Sequence, residues 1–301
     1  MHSSDNNDAR IIQNDNGNAP IIQSVLHPTD FSEGSQVAFY HALKAAVQAQ
    51  SAFTMLHVST DRHSGWSKFP GLRETLERWG LLPEGSPKSA VLELGIYARK
   101  TIAEQVDPIE AVLTYLRKHP SDLIVLATRQ YKGGAAWLHK SVAEPVARRA
   151  AQMTLFIPGD CKGFVSAADG SVSLSRVLIP VAEVPQPQMA LEAAARLVTT
   201  LNCPNGVFTL LHVSNSDTMP EVRCPQVEGW EWRKEVRGGD VIKTITETAR
   251  ELKADLIVMS TDGRNGFLDA LRGSHSERVL RNCASPLLTI PVGSFAEAYL
   301  A

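Results

Sequence analysis

The residues best equipped for chemistry lie near the end of the chain, in the segments Ser260–Gly266 (STDGRNG) and Gly273–Glu277 (GSHSE). Glycines allow backbone N–H groups to approach an anion closely, and the N-terminus of a following helix adds the positive end of its dipole. The pattern therefore predicts a phosphate site. A structural role fits the spacing equally well, because Ser274 and Glu277 form a capping box and glycines are common in turns.

An α/β fold must position these segments. Short apolar runs alternate with stretches of helical periodicity, which predicts parallel strands joined by crossover helices. In the first half the predicted strands are 22–27, 52–58, 100–106, 123–127 and 155–158, and the helices are 35–50 and 109–118. In the second half the strands are 176–180, 207–213, 231–236, 256–260 and 287–291, and the helices are 189–201 and 241–252. Ligands of doubly wound sheets lie beyond the carboxyl ends of the strands, where the glycine segment begins.

The two halves are copies of one another. Three motifs recur in the same order: Val25–Pro28 as Val177–Pro180, Phe53–Ser59 as Phe208–Ser214, and Asp122–Val125 as Asp255–Val258. Ordered matches at this distance indicate a duplicated domain and not a short solenoid repeat. The halves can therefore be compared position by position.

A chain of 301 residues allows about two ordinary domains. We predict domain 1 at 21–158, a small polar linker at 159–173 and domain 2 at 174–294. The flanking segments 1–20 and 295–301 are predicted tails, the first rich in Asn, Asp and Ser and therefore expected to be disordered.

Composition excludes several classes of protein. The formal charge is −2 and no long basic run occurs, which argues against nucleic-acid binding. No stretch approaches the ~18 apolar residues of a membrane span. The four cysteines show no C-x-x-C spacing, so we expect reduced thiols, no structural zinc and a cytoplasmic location.

The halves differ between their second and third strands. Residues 61–99 of the first half carry Leu72, Leu76 and Trp79 at helical spacing, which predicts a short amphipathic helix. The corresponding residues 215–229 are too short and too broken by Pro and Gly for a crossover helix. The longer insert of the first half leaves room for a pocket that binds something other than a nucleotide.

Trp230 and Trp232 alternate along the third strand of the second half, so both side chains face the side of the sheet that lacks this helix. Burial in the core or at an interface is the plain interpretation. The first-half insert, a second chain or a packed loop would cover that side.

At this point the chain resembles the universal stress proteins, in the tandem form with two domains in one chain. Nucleotide-binding members carry Gly-x2-Gly-x9-Gly-Ser/Thr after the fourth strand, and Ser260-x2-Gly263-x9-Gly273-Ser274 matches at every position but the first. Pro28–Glu33 (PTDFSE) matches the end of the family's first strand, and Leu-His-Val ends the second strand in both halves. The resemblance covers roughly 20–160 and 174–294. It implies an α/β fold of two tandem Rossmann-like domains, each a five-stranded parallel sheet with flanking helices, paired through their last strands as an intrachain pseudo-dimer.

The resemblance also implies a nucleotide ligand, ATP, with or without Mg²⁺. In the second half the implied binding residues are Pro180, Val181, Val213, Met259, Ser260, Gly263, Arg264, Gly273, Ser274, His275 and Ser276. A second, weaker candidate site in the first half comprises Pro28, Thr29, Asp30, Val58 and Ser141.

Each half keeps one part of the family's site. The first half retains Asp30, but bulky Gln130 and Lys140 replace two glycines of its phosphate loop. The second half retains those glycines, but Ala182 stands where the first half has Asp30. We favour the second half for ATP, because the phosphate cradle dominates the affinity for an anion.

The remaining candidate residues give little indication of function. His57 and His212 occupy equivalent apolar strand positions, which favours hydrogen-bonded core histidines over metal ligands or bases. His27 is expected near the first-half cleft, and His275 either reaches a phosphate or faces solvent. The sequence shows no nucleophile–base pair, no paired metal ligands and no Walker lysine, so we do not expect an enzyme.

The leading hypothesis is therefore a cytoplasmic stress-response protein that binds ATP and signals through an unidentified protein partner. The ligand would order the Gly263–Gly273 loop and shift a surface that the partner recognises. One alternative is a scaffold with two degenerate sites, which Gln130, Lys140, Ala182 and Ser260 favour. The other is a weak ATPase, for which the sequence names no general base. Pairing of whole chains into a homodimer is left open.

Overall fold

The computed structural model describes residues 22–59, 66, 69–128, 142–216, 218–262 and 275–292. The first half contains β1 (Ser24–Thr29), α1 (Glu33–Ala49), β2 (Ala52–Val58), α2 (Leu72–Arg78), α3 (Ala90–Glu93), β3 (Tyr97–Ala103), α4 (Pro108–Lys118), β4 (Leu123–Thr128), α5 (Ala143–Ala150) and β5 (Thr154–Pro158). The second half contains β6 (Arg176–Pro180), α6 (Gln188–Thr200), β7 (Gly206–Val213), β8 (Trp230–Arg237), α7 (Val241–Glu251), β9 (Leu256–Asp262), α8 (His275–Asn282) and β10 (Leu287–Val292). The two predicted tails lie outside the described residues.

All ten strands form one sheet in the order β3-β2-β1-β4-β5-β10-β9-β6-β7-β8. Within each half the pairing is parallel. The halves join where β5 and β10 pair antiparallel, with Leu155 opposite Leu288. The predicted α/β fold, the five parallel strands of each half and the pairing through the last strands are confirmed.

Helices cover both faces of the sheet and enclose two apolar cores. One core lies beneath α1, α2, α3 and α6, and the other beneath α4, α5, α7 and α8. Both cores run across the junction of the halves, because β5 and β10 contribute side chains to each core. Apolar burial of this kind contributes about 25 cal/mol per Å², so the junction is part of the folding core and not a loose contact between domains.

The repeated Asp-Leu-Ile-Val motif has a structural cause. Asp122 Oδ2 accepts hydrogen bonds from the backbone N–H groups of Gln23 and Ser24, both at 2.8 Å. Asp255 Oδ2 does the same for Ser175 at 3.0 Å and Arg176 at 2.9 Å. Each carboxylate thus ties the start of the fourth strand of its half to the start of the first, which aligns the two strands that border the ligand edge of the sheet.

The insert of the first half forms the predicted amphipathic helix. Leu72, Leu76 and Trp79 are all buried against the core, and Trp79 Nε1 donates to the carbonyl of Ala167. The third strand was predicted at 100–106 but lies three residues earlier, because residue-by-residue pairing with β2 fixes it between Tyr97 and Ala103. The first strand is displaced in the other direction: it was predicted at 22–27 and lies two residues later, from Ser24 to Thr29.

In the second half a packed loop, and not a helix, covers the corresponding face of the sheet. Trp230 and Trp232 both stack on Phe208, with ring centroids 4.5 and 4.2 Å apart. Their indole N–H groups donate to the carbonyls of Cys203 at 3.0 Å and Pro225 at 2.8 Å. Of the three predicted ways to cover this face, the packed loop is therefore the one present.

The predicted linker is firmly attached to the first half. Phe164 and Val165 are each 3% exposed, and their backbone N–H groups donate to Nε2 of the buried His41 at 2.9 and 3.2 Å. The four cysteines are free thiols, as predicted. Among the described helices, none is both long and apolar enough to cross a lipid bilayer.

Candidate functional site

The ligand edge of each half lies where the strand order reverses. In the first half this point falls between β1 and β4, and in the second half between β6 and β9. Crossover connections leave to opposite sides there, which opens a crevice at the carboxyl ends of the two strands. The predicted site residues that the structure describes lie at these two places.

In the first half the crevice is an open cleft of ≈ 700 Å³. It contains four of the five predicted residues of this half, namely Pro28, Thr29, Asp30 and Val58. The fifth, Ser141, lies outside the described residues. The structure thus brings together, from the ends of β1 and β2, the residues that sequence resemblance assigned to the nucleoside part of a ligand.

Hydrogen bonds at the start of α1 position Asp30. Its Oδ1 accepts from the backbone N–H of Ser32 at 3.0 Å and from the Ser32 hydroxyl at 2.6 Å. Ser32 is in turn the N-cap of α1 and accepts from the N–H of Ser35. The carboxylate is therefore fixed at the rim of the cleft, close to the helix N-terminus that it also stabilises.

Two glycines allow α1 and β5 to meet at this cleft. A Cβ atom on Gly34 would lie 3.3 Å from the Cα of Gly159, and one on Gly159 would lie 3.1 Å from the carbonyl oxygen of Thr128. Both distances are tighter than ordinary contacts, so side chains there would push the elements apart. The Gly159 N–H donates to that same Thr128 carbonyl at 2.7 Å, which closes one end of the cleft.

The first-half cleft has an acidic lining and a buried hydroxyl group. Asp30, Glu33 and Asp160 line it, and no Lys or Arg is present among its described lining residues. Thr128 is 6% exposed, and its Oγ1 has no hydrogen-bond partner among the residues that the structure describes. A buried hydroxyl without a partner costs about 1–3 kcal/mol, so a polar ligand atom or water would be stabilised beside it.

In the second half the described site residues surround the ends of β6, β7 and β9. The Val181 N–H donates to the Leu211 carbonyl at 2.8 Å, and the Val181 carbonyl accepts from His212 Nδ1 at 2.9 Å. Ser260 Oγ is buried and finds no hydrogen-bond partner among the described residues, as Thr128 Oγ1 finds none in the first half. The side chains of Val181 and Met259 are buried in the cores, which leaves only their backbone groups available to a ligand.

The remaining residues of the second site are only partly described. Pro180 and Val213 end their strands and are half-buried. His275 is exposed and Ser276 half-buried, and α8 begins at His275. The residues expected to bind phosphate, Gly263, Arg264, Gly273 and Ser274, lie outside the described residues.

The strand histidines have a structural role in both halves. His57 Nδ1 donates to the Thr29 carbonyl at 2.8 Å, just as His212 does to Val181. Each ring therefore ties the end of the second strand to the end of the first. Both rings are hydrogen-bonded, as predicted, but they are half-buried and not in the core, and His57 lines the first-half cleft. Among the described residues no group of three His, Cys, Asp or Glu could hold a metal ion.

His27 lies beneath the first-half cleft and not in it. The ring is fully buried, and Nδ1 donates to the Val125 carbonyl at 3.0 Å while Nε2 lies 3.4 Å from the Ser35 hydroxyl. Burial lowers the pKa of His27 to about 4. The ring is therefore neutral at pH 7 and supports Ser35 and Thr29, whose hydroxyls are 2.8 Å apart.

Sequence reasoning missed several residues of the first-half cleft, chiefly Thr128, Gly159 and Asp160. Thr128 carried a usable signal, since it ends a continuously apolar strand at the position where ligands bind. Gly159 and Asp160 carried none, because only the sheet order places the end of β5 beside β4.

The sequence profile described as the universal stress protein family matches residues 22–158 and 224–291. A curated relative, the universal stress protein MJ0531 of Methanocaldococcus jannaschii, is 43% identical over 85 residues, which are 28% of this chain and 50% of that protein. The chain thus spans about half the length of that relative.

Solved structures show the same fold. A universal stress protein from Archaeoglobus fulgidus DSM 4304 is 20% identical and superposes with a TM-score of 0.60, covering 91% of this chain and 98% of that one. A universal stress protein solved in complex with cAMP is 20% identical over 46% of this chain and 97% of its own, with a TM-score of 0.30; cAMP binding is a property of that protein. On the profile match to both halves, this chain belongs to the universal stress protein family.

Proposed function

We propose that this chain is an ATP-binding stress-response protein of the cytoplasm, with its principal nucleotide site in the second half. The observation that carries the proposal is the open cleft of ≈ 700 Å³ at the switch point of the first half. This volume lies within the range of about 300–1,000 Å³ found for small-molecule sites. The second half builds the same strand ends in the same order.

One difference in charge at the end of the first strand favours the second half for a triphosphate. The first-half cleft presents Asp30, Glu33 and Asp160, whose charges repel a polyanion. Because Ala182 occupies the position of Asp30, the second half lacks the first of these carboxylates. Ala182 cannot accept a hydrogen bond from the nucleoside as Asp30 could. It also carries no negative charge to repel the phosphates.

The buried hydroxyls support a polar ligand at these strand ends. Ser260 Oγ lies near the end of β9, three residues before the segment Gly263–Gly273, and has no hydrogen-bond partner in the described part of the chain. A ligand oxygen or a bound water would supply the missing hydrogen bond. In the proposed complex the glycine segment and Ser274 hold the phosphates, Val213 borders the nucleoside, and any Mg²⁺ arrives with the nucleotide.

The test is a calorimetric titration of the full chain with ATP and Mg²⁺, using two variants at equivalent positions. Gly273→Trp puts a bulky side chain into the predicted phosphate cradle of the second half, and Lys140→Trp does the same in the first half. We expect Gly273→Trp to weaken ATP binding by at least about a hundredfold, since it removes close backbone contacts to an anion. Lys140→Trp should leave the main binding event unchanged.

Four results would contradict the proposal. Equal loss in both variants would point to a general defect, and loss only in Lys140→Trp would place the nucleotide in the first half. No binding by the wild-type chain would favour the interaction scaffold, while steady phosphate release that Ser274→Ala abolishes would favour the weak ATPase. Far-UV circular dichroism of each variant separates these outcomes from unfolding.

A further inference from the structure

A second concave site lies on the first half, away from both switch points. It is a pocket of ≈ 450 Å³ between the start of α2, the helix α3 and the edge strand β3. Met55, Ile96 and Ala98 form its base, and Leu72 and Val91 line its sides. The pocket is thus mostly apolar, as sites for small molecules are.

Comparison of the halves shows why the pocket is open. The pair Phe53–Ala98 in the first half corresponds in strand register to the pair Phe208–Trp232 in the second. The indole of Trp232 stacks on Phe208 and fills the space that Ala98 leaves empty. A small residue at the edge strand, together with the insert above it, therefore creates a cavity that the second half closes with an aromatic ring.

The rim of the pocket is cationic. Arg73, Lys88, Arg99 and Lys100 line it, against the single carboxylate of Glu74 among the described residues. Arg73 forms ion pairs with Glu74 at 3.8 Å and with Glu77 at 3.4 Å.

The other three cations make no ion pair within the described part of the chain, and the ammonium group of Lys100 lies 5.0 Å from the ring centre of Trp66. Burial lowers the pKa of Lys100, the charge of Glu74 opposes this shift, and the charge of Lys88 adds to it. Unlike the first-half cleft, this site carries an excess of positive charge that an anion would neutralise.

The mouth of the pocket exposes apolar surface. Leu92, which lines it, is 55% exposed. A large exposed apolar side chain at a concave site offers surface that an apolar ligand would bury. The combination of an apolar interior and a cationic rim specifies a ligand with an apolar body and a negative head group.

We propose that the pocket between α2, α3 and β3 is a second ligand site of this protein, which binds a small carboxylate with an apolar body. The apolar chain lies on Met55, Ile96 and Ala98, and the carboxylate meets Lys100 and Lys88. The site is separate from the nucleotide site, and its occupation does not depend on ATP.

The test is a calorimetric titration of the full chain with octanoate, together with octylammonium and octanol as ligands of the same apolar body. We expect octanoate to bind at one site per chain, and octylammonium to bind at least about tenfold more weakly because it meets like charges. Ala98→Trp introduces the indole that the second half carries at the same register, so it should abolish octanoate binding while the fold is retained.

Lys100→Gln tests recognition of the carboxylate head group. It should weaken octanoate binding by about five- to tenfold, because one partly buried charge-assisted contact is lost. Lys234→Gln is its matched control, because Lys234 pairs with Leu210 as Lys100 pairs with Met55, but no described helix covers it. We expect no change in that control, nor in Gly273→Trp.

The proposal is overturned if wild-type protein does not bind octanoate, or if Ala98→Trp binds it as well as wild type does. Equal affinity for octylammonium or octanol, or equal weakening by Lys234→Gln, would likewise contradict recognition of the carboxylate at this pocket. Thermal unfolding of each variant shows whether a loss of binding comes from loss of fold.

Discussion

The buried His41 makes the attachment of the linker sensitive to acid. Its ring is 2% exposed, Nδ1 donates to the Val37 carbonyl at 2.8 Å, and Nε2 accepts from the N–H groups of Phe164 and Val165. Protonation of Nε2 would place a third N–H against these two donors. Burial accordingly lowers the pKa of His41 from 6.5 to about 4, an effect that the hydrogen bond to Val37 only partly offsets.

The sign and size of the effect follow from this pKa. Above pH 6.5 the ring is neutral in both the folded and unfolded chain, so its full contribution to stability is present. Between pH 6.5 and about 4 the unfolded chain binds the proton first, and the free energy of unfolding falls as the pH falls. The whole fall corresponds to about 3 kcal/mol, of which about 2 kcal/mol is lost by pH 5.

The assay is urea unfolding of wild type and His41→Gln at pH 7 and pH 5. The variant is less stable at pH 7, because an amide does not reproduce the ring's simultaneous hydrogen bonds to Val37, Phe164 and Val165, but its stability should depend less on pH. We expect the loss between the two pH values to be smaller by about 2 kcal/mol in the variant than in wild type. His27→Gln should show the same reduction, since burial also lowers the pKa of His27 to about 4. An identical pH-dependent loss in wild type and His41→Gln would refute the reasoning.

Two further substitutions test the strand alignment and the junction. Asp255→Ala should lower the free energy of unfolding in urea by about 2–4 kcal/mol, because it leaves two backbone N–H groups without an acceptor; Asp255→Asn, which keeps one oxygen, should cost less, and equal costs would contradict this account. Arg281→Ala removes a 3.1 Å ion pair with Glu144 across the junction, where the arginine side chain is 61% exposed. It should change stability by less than about 1 kcal/mol and less still in high salt, so a larger loss would show that this pair stabilises the junction.

The architecture was largely predictable because duplication and apolar periodicity are local signals. The strand Ala52–Val58 was predicted to the residue, and Arg176–Pro180 likewise. The third strand of the first half was misplaced because it is an edge strand with charged residues, Arg99 and Lys100, and its position depends on pairing with β2. Register with a distant strand leaves no mark on local composition.

The contacts that complete the site were less accessible to sequence reasoning. His41 meets its partners more than 120 residues away in the chain, at Phe164 and Val165. The acidic lining from Asp160 depends on where β5 lies in the sheet. The open pocket at Ala98 depends on strand register, which pairs Ala98 with Phe53 where the second half pairs Trp232 with Phe208. In each case tertiary geometry, and not the type of residue, decides the role.

The central claim is that one nucleotide occupies the second half, and the most direct measurement is the nucleotide content of the freshly purified full chain. Acid release followed by chromatography and mass spectrometry would identify and count it in wild type, Gly273→Trp and Lys140→Trp. The account predicts ATP or ADP near one per chain in wild type and Lys140→Trp, and none in Gly273→Trp. Nucleotide retained by Gly273→Trp, or absent from wild type that also fails to bind ATP with Mg²⁺, would contradict it.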